Sequence, residues 1–382
     1  MKRKANGKQA RKERSRISMQ FNIRSSRAMI TRALFMFFAL GLSASPVFAD
    51  GASSVTNIFK PDGPPARAIF DYTMLVLAVC AVIFVIVVGL LVYTVTRFRH
   101  RREDDGQEPP QVYGSNQIEL AWTVIPIIIV FVLTLVTART IAEVQNAVPP
   151  PKALKVTVVG HQWWWEIRYP DLGVVTANEL HVPVSDPAQP RPTFLKLESA
   201  DVAHSFWIPQ LAGKTDVIPN RDNSMWIEPV TPGTYLGNCA EYCGTQHARM
   251  LIRVIVHPQG EFENWVAAQK PDSATDTNLV AAQKPDSATD TQVKAGRDVF
   301  FSTSCVNCHT INGTEANGKF GPDLTHLMSR QTLGSGAALN TPEKLRAWVR
   351  NPQNLKPGCY MPDMQLTDEE MDQLVRYLLT LN

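Results

Sequence analysis

The chain has 382 residues, 45% of them hydrophobic and 19% charged, with a mean hydropathy of −0.11. That length suits two or three domains, and the hydropathy excludes a polytopic membrane protein while leaving room for one or two spanning helices. Six cysteines are too few for a disulfide scaffold, and the net charge of +3 hides an asymmetry: residues 1–32 hold 11 of the 38 basic residues and one of the 35 acidic ones, so the remainder carries −7 and does not suit a nucleic-acid binder.

Residues 1–49 read as a signal peptide. A basic stretch ends at Arg32, a short apolar run covers Ala33 to Leu42, and Val47-Phe48-Ala49 offers a cleavage site before Asp50. The basic stretch is unusually long, which leaves Met19 and Met29 open as starts. Residues 50–148 then form a membrane anchor. Tyr72 to Thr96 and Leu120 to Ala138 are uncharged, each close to the ~20 residues that a bilayer requires. They predict helices over about 72–96 and 119–139. The basic run Arg97-Phe98-Arg99-His100-Arg101-Arg102 between them places the loop in the cytoplasm, and everything after residue 140 outside. A cleaved signal peptide gives the same topology.

Beyond Pro149-Pro150-Pro151, residues 152–260 are rich in Val, Ile, Trp and Thr. Leu154 to Val158 and Thr193 to Leu197 alternate as half-buried strands do, which predicts an all-β sandwich of about 100 residues. An exact repeat follows, VAAQKPDSATDT, from Val266 to Thr277 and again from Val280 to Thr291. It is polar and far too short for a solenoid unit, so residues 261–291 read as a linker lengthened by duplication. From 292 to 382 the pattern turns helical. Val293 to Phe301 predicts one helix, Thr341-Pro342 starts a second, and the capping box Thr367 to Glu370 starts a third. This is a small all-α domain.

The densest chemistry is Cys239-Ala-Glu241-Tyr-Cys243-Gly-Thr-Gln-His247-Ala-Arg-Met250, with His204 upstream. Thiolate, thioether and imidazole form a soft set that selects copper. A mononuclear blue-copper site needs one Cys; a second, in the C-x3-C spacing, lets two thiolates bridge two coppers. His204 and His247 would each cap one metal, with Met250 and the Glu241 carbonyl as further donors. Structural zinc prefers C-x2-C and has little use for Met, and a Cys239–Cys243 disulfide would leave His247 and Met250 without a role.

GHQWWWEIRYP (160–170), NELHVP (178–183), DVAHSFWIPQLAGKTDVIPN (201–220) and CAEYCGTQHARM (239–250) closely resemble cytochrome c oxidase subunit II, as do both membrane helices. The resemblance implies a cupredoxin sandwich carrying the dinuclear CuA centre, with His204, Cys239, Glu241 (through its carbonyl), Cys243, His247 and Met250 as ligands. It further implies Trp163 as the aromatic residue that admits electrons, a magnesium ion held by the Glu241 side chain at the interface with subunit I, and Glu119 at the mouth of a proton pathway. Glu119 also has a plainer reading, as a carboxylate complementing a helix dipole. Asp201 and Asp216 belong to loops around the site. Three consecutive tryptophans cannot all face inward on a strand, so at least one of Trp163, Trp164 and Trp165 is expected at the surface.

Cys305-Val-Asn-Cys308-His309 is the attachment signature for a c-type haem, with zinc or a thiol redox pair as the alternatives. Export and the preceding helix favour haem. Gly321-Pro322-Asp323-Leu324 and Lys356 to Pro362 follow at spacings that resemble class I cytochromes c. That resemblance implies His309 oriented by the Pro322 carbonyl, and Met361 as sixth ligand with Met364 and Met328 as substitutes. A Met/His pair raises the haem potential. Cys80 and Cys359 are expected to be small buried residues.

No nucleophile–base pair or open metal position for a substrate is apparent. The expected function is subunit II of a haem–copper terminal oxidase. It would take electrons from cytochrome c or another periplasmic donor through haem c and CuA. It would pass them to subunit I, in a complex with subunit III, for dioxygen reduction coupled to proton translocation. The expected location is the bacterial inner membrane, two-pass, with both redox domains on the periplasmic side. The alternatives are the corresponding subunit of a CuA-containing nitric oxide reductase and a membrane-anchored copper-handling or redox protein.

Overall fold

Two long helices come first in the computed structural model, which describes residues 56–99, 111, 113–145, 153–270 and 291–382. These belong to one unit running from Ser54 to Asn382. The expected signal peptide, residues 100–102 of the basic run and residues 271–290 of the duplicated segment lie outside the described residues. Helix α1 spans Pro64–Arg97 and α2 spans Asn116–Gln145. Neither buries any of its apolar span, so they are not core helices. Cys80 accordingly lies on an exposed face of α1, not in a packed interior.

Both helices outrun the apolar runs in the sequence because their outer ends continue onto the β domain. Pro64 and Pro65 open α1 in the position where a missing N–H costs nothing. Just before it, the Asp62 N–H donates to the Gln210 carbonyl, and its carboxylate accepts from the Val230 and Thr231 N–H groups at 2.9 and 3.2 Å. At the end of α2 the Val144 carbonyl accepts from the Trp226 indole at 2.7 Å. Two helices fixed at the same end to one domain form a hairpin.

The β domain is a sandwich of two five-stranded sheets. One has the order β3-β2-β1-β5-β8 and the other β4-β10-β9-β6-β7. The strands are β1 (Leu154–His161), β2 (Trp164–Tyr169), β3 (Val174–Ala177), β4 (Glu179–Pro183), β5 (Thr193–Ser199), β6 (His204–Trp207), β7 (Thr215–Val217), β8 (Asn223–Ile227), β9 (Gly233–Cys239) and β10 (Leu251–His257). The β1/β5 and β4/β10 pairs are parallel, and the rest are antiparallel. The alternating side chains of β1 and β5 put Val156, Val158, Leu195 and Leu197 into the core between the sheets.

Strand β4 does not alternate: all five of its residues are buried, including Glu179 and His181. Its outward face is covered twice over, by the C-terminal domain at Glu179 and by helix α3 (Glu261–Ala268) at His181. This helix corrects the expected linker boundary. Phe262 and Val266 are buried against the sandwich core and Trp265 stacks on His181 at 4.1 Å, so residues 261–268 belong to the β domain.

His181 Nδ1 lies 2.8 Å from His257 Nε2. Burial, with His257 and Arg330 nearby, holds the His181 imidazole well below its ordinary value. The unfolded chain protonates this residue near pH 6.5 while the folded chain keeps it neutral, so its contribution to stability is complete above about 6.5 and is lost as pH falls below. Thermal melting of the full chain is therefore expected to lose up to about 1.4 kcal/mol per pH unit on acidification below that point. His181→Gln should flatten this slope; an unchanged slope would show that the acid sensitivity lies elsewhere.

The C-terminal domain contains α4 (Thr291–Ser302), the short α5 (Cys305–Cys308), a small hairpin of β11 (Thr332–Leu333) and β12 (Ala338–Leu339), α6 (Pro342–Arg350) and α7 (Asp368–Leu378). Thr341 caps α6 by accepting from the Lys344 N–H, and Thr367 and Glu370 form the reciprocal capping box of α7. Phe300, Leu345, Leu374 and Tyr377 form its core.

Candidate functional site

The loop after β9 folds Cys239, Cys243, His247 and Met250 back onto His204 of β6. Backbone bonds set this shape: Cys239 N–H to Met250 O at 2.9 Å, Ala240 N–H to Ser205 O at 2.9 Å and His247 N–H to Gly244 O at 3.0 Å. The two thiols are free and buried, with their sulfurs 3.8 Å apart. His204 Nδ1 is 3.9 Å from Cys239 Sγ, and the Glu241 carbonyl is 3.1 Å from it. At the other pole, His247 Nδ1 and Met250 Sδ lie 3.7 and 3.8 Å from Cys243 Sγ. Each sulfur therefore has one imidazole and one weaker donor beside it. This donor set fits two soft metal ions bridged by two thiolates. The Cys239 thiol is held down to about 3, chiefly by its contact with Cys243 and also by His204, while Cys243 is pushed up.

His204 is fixed from behind. Its Nε2 faces Asp201 Oδ1 at 2.8 Å, leaving Nδ1 turned to the sulfurs. Burial raises the Asp201 carboxyl, but hydrogen bonds from His204, Val202 and Gln162 outweigh it and hold the group below its ordinary value. Gly160 is needed here, since a Cβ at that position would stand 2.8 Å from the His204 ring. Loss of a carboxylate that orients a ligating imidazole typically costs 10–100-fold in metal affinity. Asp201→Asn is expected to weaken copper binding by about that factor, read by competition with a copper chelator. Unchanged affinity would mean that Asp201 only caps its turn.

The second site lies in the C-terminal domain. Cys305, Cys308, His309, Met361 and Met364 line a cavity of about 210 Å³. His309 Nδ1 is 2.7 Å from the Pro322 carbonyl, which leaves Nε2 as the free donor. Burial holds this imidazole below its ordinary value, in the neutral form that ligates metal. Gly321 packs flat against the ring; a Cβ there would come within 2.6 Å of it. Arg330 also lines the cavity, and among the described residues its buried Nε has no partner, as expected where a bound group supplies the acceptor. These residues fit a haem attached through two thioethers. Met328 packs instead with the hydrophobic core of this domain. Cys359 is half-buried at the cavity wall, with its sulfur 3.4 Å from Gln353 Nε2.

Trp163 stands between the two sites. Its indole N–H donates to the Cys243 carbonyl at 2.9 Å, and its ring lies 4.7 Å from that of Tyr360, the neighbour of Met361. The expectation that one tryptophan is exposed is not met: Trp163, Trp164 and Trp165 are 6, 8 and 0% exposed. Strand geometry is obeyed, since Trp165 packs inward on Phe206 while Trp164 points outward and lines the haem cavity. A second domain covers what a lone strand would expose. Gln162, which donates to Cys243 O and accepts from the Tyr360 hydroxyl, is a further bridging residue; its place beside the tryptophans was the only signal.

Glu119 lies in the first turn of α2, about 40 Å of helix from the Trp226 contact and remote from both sites. The Glu241 side chain is exposed, and among the described residues nothing groups with it to hold magnesium; the one potential metal cluster is His204, Cys239 and Cys243. Asp216 is exposed on β7.

Fold and sites define a membrane-anchored cupredoxin joined to a class I cytochrome c, an electron-transferring class of protein. Family models match in the same order: cytochrome c oxidase subunit II, transmembrane domain, at 58–139; the periplasmic domain of that subunit at 154–257; and cytochrome c at 293–382. Cytochrome c oxidase subunit 2 of Alkalihalophilus pseudofirmus is 33% identical over 90% of this chain and 96% of its own. Quinol oxidase subunit 2 of Bacillus subtilis is 31% identical over 62% of this chain and 73% of its own. The periplasmic domain of cytochrome oxidase subunit II from Bradyrhizobium japonicum is 30% identical, covering 32% of this chain and 96% of that one, with a TM-score of 0.30. The chain belongs to the cytochrome c oxidase subunit II family, as a two-pass member with a fused C-terminal cytochrome c domain. That membership implies copper, haem and subunit I as a partner.

Proposed function

We propose that the chain takes single electrons from a soluble periplasmic carrier, a cytochrome c or its equivalent, and conducts them to subunit I for the reduction of dioxygen. His204, Cys239, Glu241 (carbonyl), Cys243, His247 and Met250 would hold a dinuclear copper; Cys305, Cys308, His309 and Met361 would hold a haem c. Bound there, the two groups supply reversible one-electron chemistry. The protein fixes their ligands, excludes water and sets their separation. Trp163 is the observation that carries the reading: hydrogen-bonded to the copper loop and packed against the haem cavity wall, it joins the two sites by one side chain.

Matches named for cytochrome c and for quinol do not themselves choose the donor. The paired thiols and the haem-attachment motif support a one-electron carrier. Glu119 is assigned to proton uptake at the cytoplasmic end of α2, and the bacterial inner membrane, with both redox domains on its periplasmic side, is the setting that the topology supports. The test is optical and EPR spectroscopy of the full-length protein with haem attached and copper added. One unpaired electron shared by two copper nuclei beside a low-spin Met/His haem is the expected result. A single-copper signal, or no copper uptake with Cys239 and Cys243 oxidised, would overturn it.

A further inference from the structure

Among the described residues, three charged side chains are buried where the C-terminal domain meets the sandwich: Glu179 from the sandwich, and Lys356 and Arg330 from the cytochrome domain. Glu179 of β4 is fully buried. Its carboxylate accepts from the Gln331 N–H at 2.9 and 3.0 Å, from the Thr332 N–H at 2.9 Å and from the Thr332 hydroxyl at 3.2 Å. Every one of these donors belongs to the cytochrome domain. The buried Arg330 of that domain adds an attractive charge close by. In the opposite sense Lys356 of the cytochrome domain, 2% exposed, donates to the Trp163 carbonyl at 2.8 Å and to the Gly334 carbonyl at 3.0 Å. Ser335 Oγ to Leu251 O at 2.6 Å and Arg249 to Leu355 O at 3.1 Å border the same contact.

A buried ion pays a desolvation cost that generic surface contact does not return. It is tolerated only where its partners are in register, and losing one partner is then far costlier than the pair's net gain. Such groups specify where a surface docks more than how tightly. We propose that Glu179 and Lys356 form a reciprocal latch that fixes the cytochrome domain over Trp163. The chain's own second domain thereby occupies this face and closes it to a soluble carrier, which can deliver electrons only to the cytochrome domain. The consequence for the route rests on the conducting role given to Trp163 above; the latch itself does not.

The test uses the full-length protein carrying copper and haem, with the near-isosteric variants Glu179→Gln and Lys356→Met. Retained haem absorption and copper EPR verify that each variant is folded. In Lys356→Met, whose side chain touches neither amide, hydrogen exchange at Gln331 and Thr332 reads domain opening and is expected to quicken about tenfold or more, the loss of a hydrogen bond to a charged group. After rapid photoreduction of the haem, electron redistribution to copper should be independent of solvent viscosity in the parent, and slower and viscosity-dependent in the variants. Unchanged exchange in Lys356→Met, or viscosity-limited transfer in the parent, would overturn the latch. Faster exchange with unchanged electron redistribution would keep the latch and remove Trp163 from the route.

Discussion

Cys243→Ser is expected to abolish the dinuclear centre: bound copper falls from two ions to one at most, and electron delivery falls at least a hundredfold. The reason lies in the geometry. Cys243 Sγ is 3.8 Å from Cys239 Sγ and is the atom around which His247 and Met250 gather. A hydroxyl is a hard, rarely ionised donor that does not bridge two soft ions. Removing an outer partner of a metal ligand already costs 10–100-fold, so removing a bridging ligand should exceed that. The backbone carbonyl of residue 243 survives the change, so the Trp163 indole and Gln162 amide keep their acceptor. The loss therefore reports the donor set and not the docking of the domains. Copper content, EPR line shape and the rate of haem-to-copper transfer measure it. Two coppers with an unaltered EPR signal in the variant would remove Cys243 from the ligand set.

Local chemistry was legible in the sequence wherever one segment carries it. The C-x3-C loop, the C-x2-C-H motif, the capping box at Thr367 and the two apolar helices each lie within one short stretch, and each emerges where the spacing predicts. What the sequence hid is whatever another segment covers. Periodicity reports which face a side chain takes, but not what lies over that face. Trp164, Glu179 and His181 take the outward face of their strands, and they are buried because the cytochrome domain or α3 is laid on that side, whereas Trp165 is buried by the sandwich itself. Helix α3 escaped for a related reason. Its sequence enters the exact repeat at Val266, and the polar repeat masks a first turn whose Phe262 and Trp265 pack on the sandwich. Lys356 would read as a solvent-exposed lysine in any window of its own domain, yet it ends between two carbonyls of different domains.

Met361→Leu should lower the haem potential on the order of 0.1 V or more, a modest part of the ~0.8 V over which axial ligands act, whereas Met364→Leu should leave it in place. Both methionines line the cavity, so position alone does not choose between them. The loop around Met361 does. Gln353 Nε2 donates to the Cys359 and Met361 carbonyls at 2.9 and 3.2 Å, and Tyr360 is held by Trp163 and Gln162. A ligand must not move between redox states, and residues 359–361 are tied on both sides, whereas among the described residues no side chain bonds the Met364 backbone. One electron at about 59 mV per decade makes 0.1 V a shift of about fiftyfold in the equilibrium with the donor. Electrons on the haem would then pass more readily to copper but be taken less readily from the carrier, so steady-state flux should fall and the haem should stand more oxidised during turnover. Redox titration of the full-length variants, with absorption read under turnover, separates the two residues. A lowered potential in Met364→Leu with an unchanged Met361→Leu would reassign the sixth ligand.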